Sequence, residues 1–151
     1  MSKCIFTKYN LKIVKESSGL YEVSRQIGSP KDIYKVCTEV LDIQNECEEI
    51  VVIITLDTKN NVTGIFEVSR GTVNSSLVHP REIFKRAMFQ NAAGIAMIHN
   101  HPSGDPEPSQ EDKNITKRIY DAGELLGISL IDHIIIGDSY LSMRTEGYFC
   151  Q

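Results

Sequence analysis

Apolar residues recur along this chain at helical spacing in some segments and in continuous or alternating runs, typical of strands, in others. A first helix is predicted from residue 30, because the apolar residues that follow lie three and four positions apart: Ile33, Val36, Cys37, Val40 and Leu41. Ser29 is the expected N-cap, Pro30 takes the first helical position, and Asp32 completes a capping box.

Two apolar runs joined by a polar turn predict a β-hairpin. The runs are Ile50 to Leu56 and Val62 to Ser69, and residues 57–61 between them read DTKNN, a composition typical of turns. Glu67 lies on the second of these strands.

After the hairpin, a second helix is expected to open at His79 and Pro80 and to end near Asn91. Its apolar residues again recur at helical spacing: Ile83, Phe84, Ala87 and Met88. The continuous apolar run Ile95 to Ile98 then predicts a strand that is covered on both faces.

Strands and helices interleave, with one hairpin, which predicts an α/β fold: a mixed β-sheet sandwiched by helices in three layers. The remaining elements are a helix, a buried strand and a short strand: Ser109 to about Leu126, Ile128 to Ile136, and Tyr140 to Met143. With 151 residues the chain has the size of one domain, which we assign to residues 29–151. Residues 1–28 form an N-terminal segment, in which the alternation over Leu11–Glu16 would suit an edge strand.

Composition and charge exclude several classes of protein. The formal net charge of −4 argues against a domain that mainly grips phosphate backbones, so nucleic acid is a disfavoured partner. No segment resembles a leader or approaches the roughly 20 apolar residues of a membrane span, so we expect a cytoplasmic protein. The cysteines lack CxxC spacing, which predicts reduced thiols and neither disulfides nor a cysteine zinc site: Cys4, Cys37, Cys47 and Cys150.

The residues that carry chemistry are concentrated in positions 99–112, HNHPSGDPEPSQED. Residues two apart on an extended segment share a face, so His99 and His101 can present their rings to one point. Asp112 lies three residues before Ile115 on the third predicted helix and therefore faces inward with the apolar side. Two imidazoles and one carboxylate form a three-ligand zinc set, which leaves the fourth tetrahedral position for water, as in catalytic sites.

Each part of this pattern also has a plain structural explanation. Ser109 and Asp112 form a capping box that could serve only to start the helix, and a histidine pair at strand spacing is more often core or loop polarity. The conjunction favours a cation, because unpaired buried charge is strongly unfavourable. His133, in a later apolar strand, could be a fourth ligand, a group that supports the ligands, or a histidine bonded locally.

His99-x-His101, followed after seven residues by Ser109 and then by Asp112, resembles the JAMM signature of MPN-domain metallopeptidases. Three strings resemble the RadC family more closely, over roughly residues 30 to 145: SRGTVNSSLVHPREIFKRA, HNHPSGDPEPSQED and LIDHIIIGD. RadC proteins usually carry an additional N-terminal helix-hairpin-helix region, which we do not expect in this chain. The resemblance is therefore to the short, stand-alone form that is often found in mobile elements.

The resemblance implies an MPN/JAB (cytidine-deaminase-like) three-layer fold and one zinc ion per chain, held by His99, His101 and Asp112. It implies Ser109 as the serine near the developing oxyanion, and a glutamate from an earlier strand, matched here by Glu67, as the general acid/base. The implied reaction is hydrolysis of a peptide or isopeptide amide bond in an unknown protein or peptide substrate. Without the resemblance, Glu67 would be interpreted as a solvated strand residue.

Two other functions stay open at this stage. One is a non-catalytic MPN-like module that binds a partner protein or DNA, in keeping with mobile elements and with the DNA-repair label of RadC proteins. The other is a zinc-dependent nuclease or phosphoesterase, which usually needs two metals about 3.5–4 Å apart and more carboxylates than this motif offers. An HNH nuclease and a nucleoside deaminase are excluded, because the first spreads its named residues over a ββα unit and the second needs P-C-x-x-C. The sequence does not indicate an oligomeric state.

Removal of the metal should leave the fold intact, because a chain of 151 residues is long enough to build its core without it. The far-UV circular dichroism of chelator-treated protein is expected to match that of the metal-loaded protein. Global unfolding of the metal-free chain would instead indicate a structural zinc and weaken the enzyme hypothesis.

Overall fold

The computed structural model describes residues 3–71 and 78–149, so the expected thiol of Cys150 lies outside the described residues. The strands within these ranges are β1 Glu49–Leu56, β2 Val62–Gly71, β3 Gly94–Asn100, β4 Ser129–Ile136 and β5 Tyr140–Ser142. The helices are α1 Pro30–Val40, α2 Pro80–Phe89 and α3 Gln110–Leu126, with a 3-10 turn at Ile43–Asn45. The strands form one mixed sheet in the order β2-β1-β3-β4-β5, which confirms the predicted α/β fold.

Two hairpins, β1 with β2 and β4 with β5, and the crossover from β3 to β4 largely determine the order of the strands. β1 pairs antiparallel with β2 through the turn at residues 57–61, as the sequence predicts, and its other edge pairs antiparallel with β3. β3 and β4 are parallel, so the chain between them has to cross over the sheet, and α3 makes this crossover. β3 is buried along its whole length because it is central and covered on both faces.

Successive side chains of a strand point to opposite faces, and each face of this sheet has its own hydrophobic core. The α1 core packs the first helix and the 3-10 turn onto the sheet and includes Ile33, Val36, Cys37, Val52 and Ile54. The α2/α3 core packs the other two helices onto the opposite face and includes Ile83, Phe84, Ile115, Val51 and Ile53. Three layers result. Cys37 is fully buried, which confirms its predicted core position, and this burial raises the pKa of its thiol to about 12.

The start of α1 differs in detail from the predicted capping box. Ser29 occupies the N-cap position and Pro30 the first turn, but the Ser29 side chain makes no capping hydrogen bond to the helix. Its hydroxyl instead donates to the Asp32 carboxylate at 2.9 Å, and the same carboxylate accepts from the main-chain nitrogen of Gly28 at 3.0 Å. The carboxylate therefore bonds to the N-cap hydroxyl and to the main chain of the residue before the N-cap, and the serine hydroxyl does not cap the helix because it is used as a donor.

The N-terminal segment does not contain the edge strand that the alternation over residues 11–16 would suit. These residues are exposed and are not in a strand, because no strand of the sheet lies alongside them to supply main-chain partners. Further along, Val23 packs on the α1 core, the main-chain oxygen of Arg25 accepts from the main-chain nitrogen of Val62 at 2.8 Å, and Gln26 forms an isolated bridge with Asn61.

Gly123 lies where α3 packs most closely on the chain that leads into β4. A Cβ atom at this position would overlap the main-chain oxygen of Ile128 and would also meet the ring of Phe84 at 3.4 Å. Glycine is used here because the helix and the following turn approach each other at main-chain distance, in spite of its poor helix propensity.

Gly123→Ala is expected to destabilise the protein by about 1–3 kcal/mol, the usual cost of overpacking, although alanine is the better helix former by about 1 kcal/mol. Urea unfolding measures the change. Glu124→Ala, at the neighbouring exposed position of the same helix, serves as the control and should change stability by less than about 0.5 kcal/mol. A Gly123→Ala protein as stable as the control would show that the close approach does not constrain this residue.

Candidate metal centre

Four side chains converge at one end of the sheet. One ligand atom from each of Glu49, His99, His101 and Asp112 lies within 4.8 Å of the corresponding atoms of the other three. The two imidazole Nε2 atoms are 2.8 Å apart. The Asp112 carboxylate oxygens lie 3.3 Å from His99 Nε2 and 3.5 Å from His101 Nε2. The three ligands predicted from the sequence are thus brought together, and Glu49 joins them.

The register of the central strands places His99 beside Glu49. His99, near the end of β3, pairs with Val51 of β1, and Glu49 precedes Val51 by two residues and shares its face. The carboxylate of Glu49 lies 3.9 Å from His99 Nε2, and its side chain is 16% exposed. His101 follows β3 directly, where its main-chain nitrogen donates to Ile136 and keeps the segment extended.

Asp112 reaches the cluster from the first turn of α3 while it also caps that helix. The Ser109 hydroxyl accepts from the main-chain nitrogen of Asp112 at 3.1 Å and donates to its Oδ2 at 2.7 Å. The main-chain nitrogen of Ser109 donates to the same Oδ2 at 2.7 Å, which completes the capping box. Oδ1 is directed at His99, so one carboxylate caps the helix with Oδ2 and faces the cluster with Oδ1.

The charges of the cluster are coupled. Burial opposes the ionisation of Asp112, but the neighbouring imidazoles of His101 and His99 outweigh it and hold the pKa of the carboxyl well below its usual range. In return, the Asp112 carboxylate raises the pKa of His101. The cluster therefore contains a carboxylate that stays ionised, whose charge a protonated imidazole or a metal ion would balance.

The donor atoms fit a divalent metal ion. His101 Nδ1 lies 2.7 Å from the main-chain oxygen of Asp105, and a carbonyl only accepts, so this nitrogen carries a hydrogen. In a neutral His101 the Nε2 lone pair is then directed at His99 and Asp112. Two imidazole nitrogens and two carboxylates around one point are a donor set that suits zinc and other first-row divalent ions.

His133 supports the cluster from behind and is not one of its four members. Its Nε2 lies 2.7 Å from His99 Nδ1, and its Nδ1 lies 2.6 Å from the Thr116 hydroxyl. Burial lowers the pKa of His133 well below its usual value, so the imidazole is neutral. Of the three interpretations that the sequence left open, this geometry corresponds to a supporting group.

Glu67 is not brought to this cluster. It pairs with Val52 of the α1 core, whereas its neighbours Phe66 and Val68 pack on the α2/α3 core, so its side chain lies on the face opposite the cluster. Arg70 holds its carboxylate with donor distances of 2.8 and 3.0 Å. The strand alternation that puts Glu49 on the face of His99 therefore turns Glu67 to the other side.

Sequence reasoning missed Glu49, although one signal was present. The acidic residues Glu48 and Glu49 directly precede the apolar run IVVII, whose side chains offer a carboxylate no hydrogen bond and no opposite charge. The pairing of β1 with β3 gives this carboxylate its place, and that pairing joins residues about 50 positions apart.

A cleft leads from the surface to the cluster. It has a volume of about 590 Å³, and its walls come from the start of β1, the end of β2 and the loop after β3. Its lining includes Cys47, Glu48, Pro102 and Ser103 together with Ser109 and three members of the cluster, Glu49, His101 and Asp112.

Comparison with known proteins connects the chain to one family. The family model of the RadC-like JAB domain matches residues 27–148. The chain is 46% identical over 128 residues to a UPF0758 protein of Methanosarcina mazei, which covers 84% of this chain and 55% of that protein. It is 44% identical over 149 residues to a UPF0758 protein of Thermotoga maritima, which covers 97% of this chain and 66% of that protein.

The chain thus spans about half to two thirds of the length of these curated relatives. No helix among the described residues has the length and apolarity needed to cross a membrane.

Protein purified without a metal-binding tag from zinc-supplemented cells is expected to contain about one zinc ion per chain, because the cluster offers a single set of donors. Elemental analysis measures the content, and His99→Ala combined with His101→Ala should remove it. His79→Asn is the matched control, since His79 caps α2 with a side-chain acceptor that asparagine can replace. Retention of zinc by the double variant would show that the metal binds elsewhere.

Proposed function

The chain belongs to the family of RadC-like JAB domains, and from this premise we propose that it is a zinc-dependent hydrolase that cleaves a peptide or isopeptide amide bond. The observation that supports this proposal best is the position of Glu49. A carboxylate that is not needed to complete a three-ligand zinc set lies at the edge of the cluster and lines the cleft that leads to it.

His99, His101 and Asp112 would hold the zinc ion, through the Nε2 atoms of both imidazoles and the carboxylate. Zinc in such a site acts as a Lewis acid toward the scissile carbonyl group and favours the ionisation of water near neutral pH. The chain supplies rigid support for this set, because His99 lies in a buried strand and Asp112 is fixed by the capping box of α3.

Glu49 is our candidate for the general base, in place of Glu67. Its carboxylate can accept a proton from the attacking water and then deliver it to the leaving amine nitrogen, which general base catalysis of amide hydrolysis requires. The short distance from Glu49 to His99 and its low exposure keep the carboxylate beside the reacting atoms. Glu67 remains a surface partner of Arg70 in this scheme.

Ser109 is our candidate for the donor that stabilises the developing oxyanion. Its hydroxyl lines the cleft and donates to Asp112 Oδ2. To reach a substrate oxygen, the hydroxyl would exchange this carboxylate for the substrate, while the main-chain nitrogen of Ser109 keeps Asp112 in place.

Glu49→Gln is expected to lower the rate of cleavage by about 10²–10⁴-fold, because glutamine keeps the size of the side chain but cannot accept the proton. A peptide-library screen read by mass spectrometry first identifies a substrate for the wild-type protein. Zinc content should be unchanged, since a general base is not one of the three ligands.

Glu67→Gln is the matched control, because it removes a carboxylate from the opposite face of the same two-stranded ribbon and leaves Glu46 to pair with Arg70. It should cleave at close to the wild-type rate. The reverse result, with a slow Glu67→Gln and a fast Glu49→Gln, would contradict the assignment. If the zinc-loaded wild type cleaves nothing in an extensive screen, a non-catalytic binding module becomes the better account.

A further inference from the structure

A chain of buried hydrogen bonds joins two of the proposed ligands through residues that are not ligands. It runs from His99 Nδ1 to His133 Nε2 over 2.7 Å and from His133 Nδ1 to Thr116 Oγ1 over 2.6 Å. Thr116 Oγ1 then donates to the main-chain oxygen of Asp112 over 2.5 Å. His133 is 1% exposed and Thr116 is fully buried, so bulk water does not compete for these bonds.

The acceptor at the far end sets the direction of the whole chain. The Thr116 hydroxyl has two possible acceptors, the main-chain oxygen of Asp112 at 2.5 Å and Met143 Sδ at 3.4 Å, and the carbonyl is the nearer and the stronger. Since neither of them can donate to the hydroxyl, its single hydrogen is directed away from His133, and the hydroxyl oxygen accepts from His133 Nδ1. A neutral His133 with its hydrogen on Nδ1 has a lone pair on Nε2, which accepts from His99 Nδ1. His99 therefore carries its hydrogen on Nδ1 and directs the lone pair of Nε2 into the cluster.

We propose that His133 and Thr116 are positioning residues that fix this tautomer of His99, a proposal that rests on the metal centre of the proposed function. Histidine ligands generally donate their second ring nitrogen to a carboxylate, a carbonyl or water, which sets both tautomer and ring orientation. His101 does so directly, with the main-chain oxygen of Asp105. His99 reaches a carbonyl only through two intermediate side chains.

The arrangement also connects two ligands that come from different elements. Thr116 lies one turn after Asp112 in α3, and it bonds to the main chain of the residue whose side chain enters the cluster. The turn of helix that places the Asp112 carboxylate thereby orients the imidazole of His99 from β3. Loss of the Thr116 hydroxyl should disturb His99 although Thr116 contacts neither the cleft nor a ligand atom.

Thr116→Val tests this proposal, because valine keeps the branched shape but can neither accept from His133 nor donate to Asp112. Its zinc affinity, measured by competition with a chromophoric chelator, is expected to fall by about 10–100-fold, the usual effect of losing a group that supports a ligand. Thr116→Ser restores the hydroxyl with one methyl fewer and should bind zinc much as the wild type does.

Nitrogen-15 spectra of the histidine rings give a second readout that does not need metal. In the metal-free wild type, His99 should be the Nδ1-protonated tautomer, and in Thr116→Val it should become a mixture of both tautomers. Thr38→Val is the matched control, since the Thr38 hydroxyl also donates to a carbonyl four residues earlier in a helix but has no histidine partner. It should leave zinc affinity and the His99 tautomer unchanged.

The outcomes separate the two proposals. Wild-type zinc affinity and an unchanged His99 tautomer in Thr116→Val would overturn the role of this pair. An equal loss of affinity in Thr116→Val and Thr116→Ser would also overturn it, because packing and not the hydroxyl would then be responsible. A wild-type protein that binds no zinc would refute the metal centre, while the tautomer of His99 in metal-free protein still decides whether the hydrogen-bond chain acts as described.

Discussion

The antiparallel register between β1 and β3 is the constraint on which the site depends. Pairing of Val51 with His99 places Glu49 on the face of the sheet where the imidazole projects. A shift of β1 by one residue would turn Glu49 toward α1 and would also exchange the two sets of apolar residues that the helices cover. Each face has its own core, so a shifted register would expose apolar residues on both faces, and the two cores therefore hold this register. Burial of the sheet thereby determines which polar side chains meet at its end.

Closely spaced lone pairs and a carboxylate would be unfavourable in a buried position without a positive charge. The fold gives three of the four members of the cluster a hydrogen-bond partner outside it. Asp112 Oδ2 accepts from Ser109, His101 donates to Asp105, and His99 bonds to His133. No buried side-chain nitrogen or oxygen of the described residues is left without a hydrogen bond. These partners fix the directions in which the potential ligand atoms point.

Local pattern was sufficient to predict most of the fold and three of the four members of the cluster. Spacing over a few residues predicts the strands and the helices, because each element needs its apolar residues on one face. The same short spacing predicts the positions of His99, His101 and Asp112. Glu49 could not be found in this way, because strand pairing brings it to His99 from 50 positions away. Glu67 was chosen by resemblance alone. The sequence does not show whether its side chain lies on the same face of the sheet as the cluster, because that depends on how the strands pair.

The cluster and the two cores are built from separate residues. None of Glu49, His99, His101 and Asp112 belongs to either hydrophobic core, and the cores close on both faces of the sheet without them. A lineage in which one of these four residues is substituted would therefore lose the proposed chemistry while it inherits an intact fold. Active and inactive descendants of such a domain would share the same architecture, and a single codon could distinguish a hydrolase from a module that only binds.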